Sequence, residues 1–565
     1  GYTYNAETAQ FSVTYGQDVL SGINFRTGNT TAQAADLSFG IADFSQLPAD
    51  EFPVPGYSYI EMNYLLVAPT EGETANLINA TYTINGKAGA STVNTLNLAS
   101  TPVRQNYRTN IYGSLLTTQN AFNVEINPAF EGTLVQAIEP EVNEAGNYEL
   151  ASPNNLQWLY TQVNNGDDFS GKTLELSSDI DMTGIAWTSL GTANKPFSGS
   201  INGNGHTISG LSDPLIYQYK VSDSENSTKI ENLKIVSDNA RGAALIAVIS
   251  TGAGKEMIID NVEISGTVNG IYGGNAHYYM GGIVATLSLG NMPLTISNCK
   301  NHAMISSDNS NSQVGGLIGH ISSNVTLEKC MNDGELRGAT VGGIVAEISS
   351  TGLIHTINNC SNSGNIYGNS RVGGIVANIN GTIDIDGCSN SGTLTATPAG
   401  QYPSIEIGGI IADWWQSTTG YNTEKFNFSN LTNTGKIIVN DPENKCGSIY
   451  VGGIAGNFST MRKSNMNIIL SRFTDNGPIT INRSKTSDYI RIGCLVGNLS
   501  ITNSYNLALN FNDCTVGTDS QVTFSNDINI TRYAVYGNKL VGQYASMVKI
   551  NNLTNSTSYS PHYTE

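Results

Sequence analysis

The chain is poor in charge. Only 13% of its 565 residues are Asp, Glu, Lys or Arg, and 27 basic residues stand against 46 acidic ones. The resulting formal charge of −19 repels a phosphate backbone or an anionic membrane surface, and no Lys/Arg cluster offers a landing patch, so nucleic acid is excluded as an expected partner. Long apolar runs are missing too: no stretch reaches the ~18 residues of a bilayer-crossing helix, and no membrane-spanning segment is expected. The start, GYTYNAETAQ, has neither a basic nor an apolar segment of a secretion signal and reads as a mature or trimmed chain. Cysteine is scarce, seven in all and none before Cys299, so a lipid anchor on an amino-terminal thiol has been removed or never existed. Helix-length periodicity is absent. What remains abundant is glycine, 60 residues, set among Asn, Ser, Thr, Ile and Val, which is the composition of strands and tight turns and points to an all-β chain.

The glycines are periodic. Rows beginning at Gly281 (GGIVATLS), Gly315 (GGLIGHIS), Gly342 (GGIVAEIS), Gly373 (GGIVANIN), Gly408 (GGIIADWW), Gly452 (GGIAGNFS) and Gly493 (GCLVGNLS) recur at intervals from 27 residues (Gly315 to Gly342) to 44 (Gly408 to Gly452). Periods in this range signal a solenoid. Each row is followed by a second frame, seen most plainly as CSNSG at Cys360 and again at Cys388. Its first column holds Val262, Cys299, Cys330, Cys360, Cys388, Leu431, Phe473 and Cys514, and a column that accepts Val, Leu and Phe is an interior one. The cysteines are therefore read as wall rather than as disulfides or metal ligands, because soft metal ligands must converge on a tetrahedron and a linear file does not. Two places on, Asn301, Asn332, Asn362, Asn390, Asn433 and Asp475 form an expected amide ladder. Gly334, Gly364, Gly392, Gly435 and Gly477 follow, and are expected to supply positive φ at the corner.

Short apolar runs and a period near thirty residues predict a right-handed parallel β-helix over 150–565. Its open first coil needs a cover. The stretch SPNNLQWLYTQV, with Ser152 as N-cap and Pro153 at the first helical position, predicts a short helical cap at about 152–165. Residues 1–140 lack the glycine rows and alternate strand-like runs with Pro/Gly turns, which predicts a β-sandwich of hairpins, joined by an acidic linker at Glu139–Asn147.

Two stretches of that first region, YIEMNYLLVAP (Tyr59–Pro69) and PVRQNYRTNIYGSLLTTQNAFNVEINPAF (Pro102–Phe130), resemble the fimbrillin-like proteins of Bacteroidales. The later GKTLELSSDIDM, PFSGSINGNGHTISGL and VGGIVA rows are similar to the GLUG-type repeats of bacterial surface β-helix proteins. The fimbrillin resemblance implies a subunit of a surface pilus assembled by strand exchange, hence exported to the cell outer membrane surface or fimbrium. A subunit ending in a bulky unrelated domain resembles a tip or accessory adhesin rather than a stalk subunit. Its implied partners are other pilus subunits and a host or bacterial surface glycan or protein.

Candidate binding residues come from the rows themselves. Trp414 belongs to the inward column, whereas Trp415 occupies an outward place otherwise held by Ser and Asn, and an exposed indole is a platform for a sugar ring. The longest insertions precede glycine pairs and carry Tyr272, Tyr278, Tyr279, Tyr402 and Tyr450, which in-phase stacking gathers on one side near Trp415. The alternative is a polysaccharide-degrading enzyme, a lyase or glycoside hydrolase, using His320, Glu347 and Asp413 from the outward column; Asp413 would lie two coils beyond Glu347, about 10 Å away at strand spacing. Asp pairs at Asp179/Asp181 and Asp384/Asp386 hint at calcium but are common in turns, so neither metal nor cofactor is expected.

Overall fold

A computed structural model describes residues 137–565 apart from short interruptions and the last four residues, and within residues 1–136 it describes the backbone of strands. The chain divides into two compact units, Gly1–Leu134 and Val135–Glu565. In the first, the strands Leu37–Gly40, Gln10–Tyr15, Asn76–Asn85 and Asn94–Val103 form a four-stranded sheet in that order, antiparallel throughout. Leu20–Ile23 pairs with Thr30–Ala34, and the NYRTNIYG run lies in Tyr107–Gly113, paired antiparallel with Phe122–Pro128. The expected sandwich packing depends on side chains outside the described residues, as does the stretch Tyr59–Pro69.

The second unit is a parallel β-helix. Strand after strand pairs in parallel with its equivalent one coil on, and the rows seen in the sequence are in register: Glu347 with Asn378, Asn378 with Asp413, Asp413 with Asn457. The expected linker is instead part of this unit. Glu141–Val142 turns back to pair antiparallel with Tyr148–Leu150, and the side-chain amides of Asn143 and Asn147 both donate to Glu175. One helix occurs among the described residues, α1 (Pro153–Asn165), flanked by an extended Ser152 and a left-handed Gly166 at φ 108°. It closes the first coil with Leu156, Leu159 and Val163.

The cysteine column is interior, as its hydrophobic substitutes require: Val262, Cys299, Cys330, Cys360, Cys388, Leu431, Phe473 and Cys514 are all buried. All seven cysteines are free, and burial pushes the Cys299 and Cys514 thiols up, the latter to about 11. Full burial of each aliphatic or aromatic side chain in such files is worth about 1.5–3 kcal/mol.

The amide ladder runs in one direction. Asn301 Nδ2 donates to Asn332 Oδ1 at 2.7 Å, Asn332 to Asn362 at 2.7 Å, Asn362 to Asn390 at 2.8 Å, Asn390 to Asn433 at 2.9 Å, and Asn433 to Asp475 Oδ1 at 2.9 Å. There it stops, because the next residue of the file is Val516, which can neither give nor receive.

The corner glycines behave differently from the expectation. The left-handed residue comes just before the cysteine column, at Asn298 (φ 54°), Asn359 (φ 54°), Asn430 (φ 55°) and Gly387 (φ 66°), where asparagine side chains tolerate that conformation. Gly334, Gly364 and Gly392 are instead required by close approach: a Cβ on Gly364 would lie 2.1 Å from the Gly334 carbonyl oxygen of the coil before. The glycine pairs have the same cause. A Cβ on Gly343 would lie 1.9 Å from the Gly374 carbonyl oxygen and 2.8 Å from Asn362 Cβ, so the second glycine of each row makes room for the ladder. The two motifs, distant in sequence, thus require each other.

Candidate functional site

At each glycine pair the chain turns from one sheet into another. A Cβ on the first glycine, as at Gly342, would lie 1.9 Å from the carbonyl oxygen of Val345, so the bend is tight. The strand entering it alternates: Met280, Val314, Val341, Val372, Ile407, Val451 and Ile492 are buried, and their neighbours Tyr279, Gln313, Thr340, Arg371, Glu406, Tyr450 and Arg491 form an in-register file on the other face. The strand leaving it carries the outward column, Thr286, His320, Glu347, Asn378, Asp413, Asn457 and Asn498. Contacts of Tyr279 with His320, Arg371 with Asp413 and Arg491 with Asn498 show that the two files converge across the bend, making a polar cleft lined and partly filled by their own side chains.

At one end Tyr279 stacks on His320, centroids 4.3 Å apart and planes 15° apart. Burial, with the Glu347 carboxylate nearby, pushes the Tyr279 hydroxyl up to about 12. His320 Nε2 lies 2.6 Å from Ser349 Oγ, and Asn378 Nδ2 donates to Glu347 Oε1 at 3.2 Å, leaving Glu347 Oε2 buried with no partner among the described residues. In mid-cleft Arg371 Nε lies 3.0 Å from Asp413 Oδ2 and 3.6 Å from Glu406 Oε2. Both carboxyl groups are raised, by burial first, against the pull of Arg371. Burial works to lower Arg371 itself, but its two carboxylates outweigh that and raise it. The network continues: Asn457 Nδ2 donates to Asp413 Oδ1 at 2.8 Å, Asn498 Nδ2 to Asn457 Oδ1 at 2.6 Å, and Arg491 Nη1 to Asn498 Oδ1. The Arg491 guanidinium lies 5.5 Å from the centroid of the Tyr450 ring.

The predicted residues fall out as follows. Tyr279, His320 and Glu347 come together, and Tyr450 joins Tyr279 on one wall, five coils further along. Tyr278 is half-buried beside that wall, its carbonyl accepting from Gln313 N at 2.8 Å. Trp415 is half-buried, in file with Asn380 and Ser459, on the same face of its strand as Asp413. Trp414 is fully buried, 4.4 Å from the Phe458 ring centroid. Tyr272 and Tyr402 lie outside the described residues. Asp413 sits two coils beyond Glu347, but its carboxylate is taken up by Arg371 and Asn457 rather than turned toward Glu347.

Sequence reading missed Arg371, Glu406 and Arg491 as members of the site. Its signal was present two residues before each first glycine, where the same alternation that places the inward valines places these side chains outward. Among the described residues no group of three His, Cys, Asp or Glu side chains is arranged to hold a metal ion, and Asp179 is engaged by Thr207 N and His206.

Residues 2–154 match the model of a family of unknown function, DUF6562. No curated protein matches the chain. Solved structures that resemble it include the following two. One, from Bacteroides ovatus and provisionally described as an immunoglobulin A1 protease, is 20% identical with a TM-score of 0.37, over 48% of this chain and 85% of that one. The other, described as IgA1 protease, is 11% identical with a TM-score of 0.32, and the match spans 86% of this chain but only 29% of the other. Likenesses of this size carry no argument about chemistry.

Proposed function

We propose that this chain is an exported cell-surface adhesion protein, a tip or accessory fimbrial subunit whose β-helix binds a surface glycan along the cleft. The observation that carries the reading is the cleft itself. It is a long furrow whose tyrosines and polar groups, half-exposed except for the buried Glu406, Asp413 and Asn498, are held by hydrogen bonds and ion pairs on rigid strands, the mixture of flat apolar faces and oriented polar groups that sugars require. The fimbrillin-like stretches of the first unit support surface attachment through strand exchange with other pilus subunits. The test is a glycan array probed with the purified full chain and with Trp415→Ala and Tyr450→Ala. Binding weakened in these variants, without turnover, supports the adhesin, and an array with no bound glycan refutes the glycan-binding part.

One observation favours a second reading, a polysaccharide-degrading enzyme: Tyr279, His320 and Glu347 meet at one end of the cleft, where they could exchange protons with a bound sugar. Against it, the Asp413 carboxylate is committed to Arg371 and Asn457, so among the described residues of the two files no second free carboxylate faces Glu347 in the way a glycosidase pair does. A reducing-end assay separates the readings: new ends that vanish in Glu347→Gln establish the enzyme.

A further inference from the structure

Serine recurs two places beyond the outward column, at Ser322, Ser349, Ser459 and Ser500. Ser322 gives its hydroxyl to the Leu287 carbonyl of the coil before, at 2.9 Å, an ordinary bond between strands. Ser349 is placed differently. Its Oγ lies 2.6 Å from Nε2 of His320, on the coil before, and His320 is the one imidazole of its file among the described residues. The Tyr279 ring, stacked on that imidazole, fixes its plane. Glu347 lies on the same strand and face as Ser349 and stands in register with His320. Asn380 stands in register with Ser349 on the following coil, about 4.8 Å away at strand spacing. All five side chains are half-buried, so the group is held by its neighbours and still open at the end of the cleft.

A hydroxyl within hydrogen-bond reach of an imidazole nitrogen, with a carboxylate and an amide on adjacent places, is the constellation of an activated nucleophile. We propose that Ser349 and His320 form a hydrolytic site for O-acyl esters, of the kind formed by acetyl groups on sugar hydroxyls. Ser349 Oγ adds to the ester carbonyl carbon while its proton passes to His320 Nε2. The bond from that carbon to the alcohol oxygen then breaks, and the alcohol leaves with the proton. A water molecule adds to the acyl-serine, giving its own proton to Nε2, and the carboxylic acid departs as Ser349 Oγ takes the proton back. The Asn380 amide donates to the oxyanion of both tetrahedral intermediates, and the Glu347 carboxylate favours the imidazolium that forms between them. Esters rather than amides suit such a dyad, since an alcohol leaves more readily than an amine. The ester chemistry goes beyond adhesion, and its assignment to sugar hydroxyls rests on the glycan reading above. It cuts no glycosidic bond and makes no reducing end, so it is also distinct from the polysaccharide-degrading reading.

The test treats the full chain with a fluorophosphonate, whose phosphorus is attacked by activated serines with loss of fluoride, and maps the modified peptide by mass spectrometry. In parallel, acetate release from acetylated xylan and hydrolysis of p-nitrophenyl acetate are followed. The label is expected on Ser349, a result read on the parent chain and independent of any variant's folding. Acetate release should fall about 100-fold or more in Ser349→Ala and in His320→Gln. Asn380→Ala, which removes only the oxyanion donor, should lower it about 100-fold. No label on Ser349, or acetate release unaltered in Ser349→Ala, would overturn the site and leave glycan binding standing. A chain labelled at Ser349 that hydrolyses p-nitrophenyl acetate, yet neither binds nor deacetylates any glycan, would overturn the sugar assignment together with the glycan reading and retain the esterase.

Discussion

Asp475 offers the sharpest test of the interior. It ends the amide ladder fully buried, accepting from Asn433 Nδ2, from Gly477 N at 3.3 Å and from the Ser520 hydroxyl. Burial outweighs these donors and raises its pKa from 3.8 to about 7. A carboxyl group whose folded value lies above its unfolded one binds its proton more tightly in the native state. Its contribution to stability is therefore full below pH 4 and is lost as pH rises through 7. At 1.36 kcal/mol per unit the whole loss is about 4 kcal/mol, of which about 3 kcal/mol falls between pH 5 and pH 8. Asp475→Asn removes the charge and supplies the amide that every other rung of the ladder has, with the Gly477 carbonyl in the place of the acceptor that Asn433 finds at Gly435 O. Urea unfolding of both proteins at pH 5 and pH 8 should show the variant gaining about 3 kcal/mol on the parent over that interval. Parallel stability curves, or a variant that loses ground toward pH 8, would refute the assignment of a buried ionisable terminus.

Other interior features give equally definite outcomes. Gly374→Ala puts a Cβ 1.9 Å from the Gly409 carbonyl oxygen and should cost about 3 kcal/mol or more in chemical denaturation. Asn362→Ala removes two rungs and strands the Asn332 amide and the Asn390 oxygen, a loss of about 2–5 kcal/mol by the same measurement. Arg483→Met leaves Asp441, fully buried and 2.6 Å from the guanidinium, without its counter-charge, and should lower stability by about 3–5 kcal/mol in thermal unfolding. Trp414→Ala should cost about 3–5 kcal/mol while Trp415→Ala, one residue on, leaves the unfolding midpoint nearly unchanged.

How much of this was legible in the sequence depends on which residues are asked about. The stacked coils were readable because equivalent positions tolerate only interior side chains: Phe473 and Leu431 standing in for cysteine said where the wall was. The direction of a bend was not readable. A glycine pair says that no Cβ fits, yet both a convex and a concave corner can impose that, and only the concave one brings Arg371 to Asp413 across the corner. For the same reason Asp413 was placed in its outward column, and its capture by an arginine 42 residues earlier went unforeseen. The corner glycines failed differently. Gly364 looks identical in sequence whether the need is positive φ or bare space, and here the need is space, while Asn359 takes the left-handed turn.

The one-way amide file also says how such an array can lengthen. Its first member, Asn301, has its oxygen satisfied locally by Ala303 N, and its last, Asp475, accepts from Asn433 and passes no bond to the next coil, where Val516 stands, so both termini are sealed. Every rung between them gives one bond to the next coil, receives one from the coil before and closes one locally on the carbonyl two residues on, and is interchangeable with its neighbours. Duplicating an interior coil would leave every donor and acceptor matched, whereas duplicating the one that holds Asp475 would set two buried carboxyl groups face to face; repeats can multiply from the middle of this cylinder and not from that end.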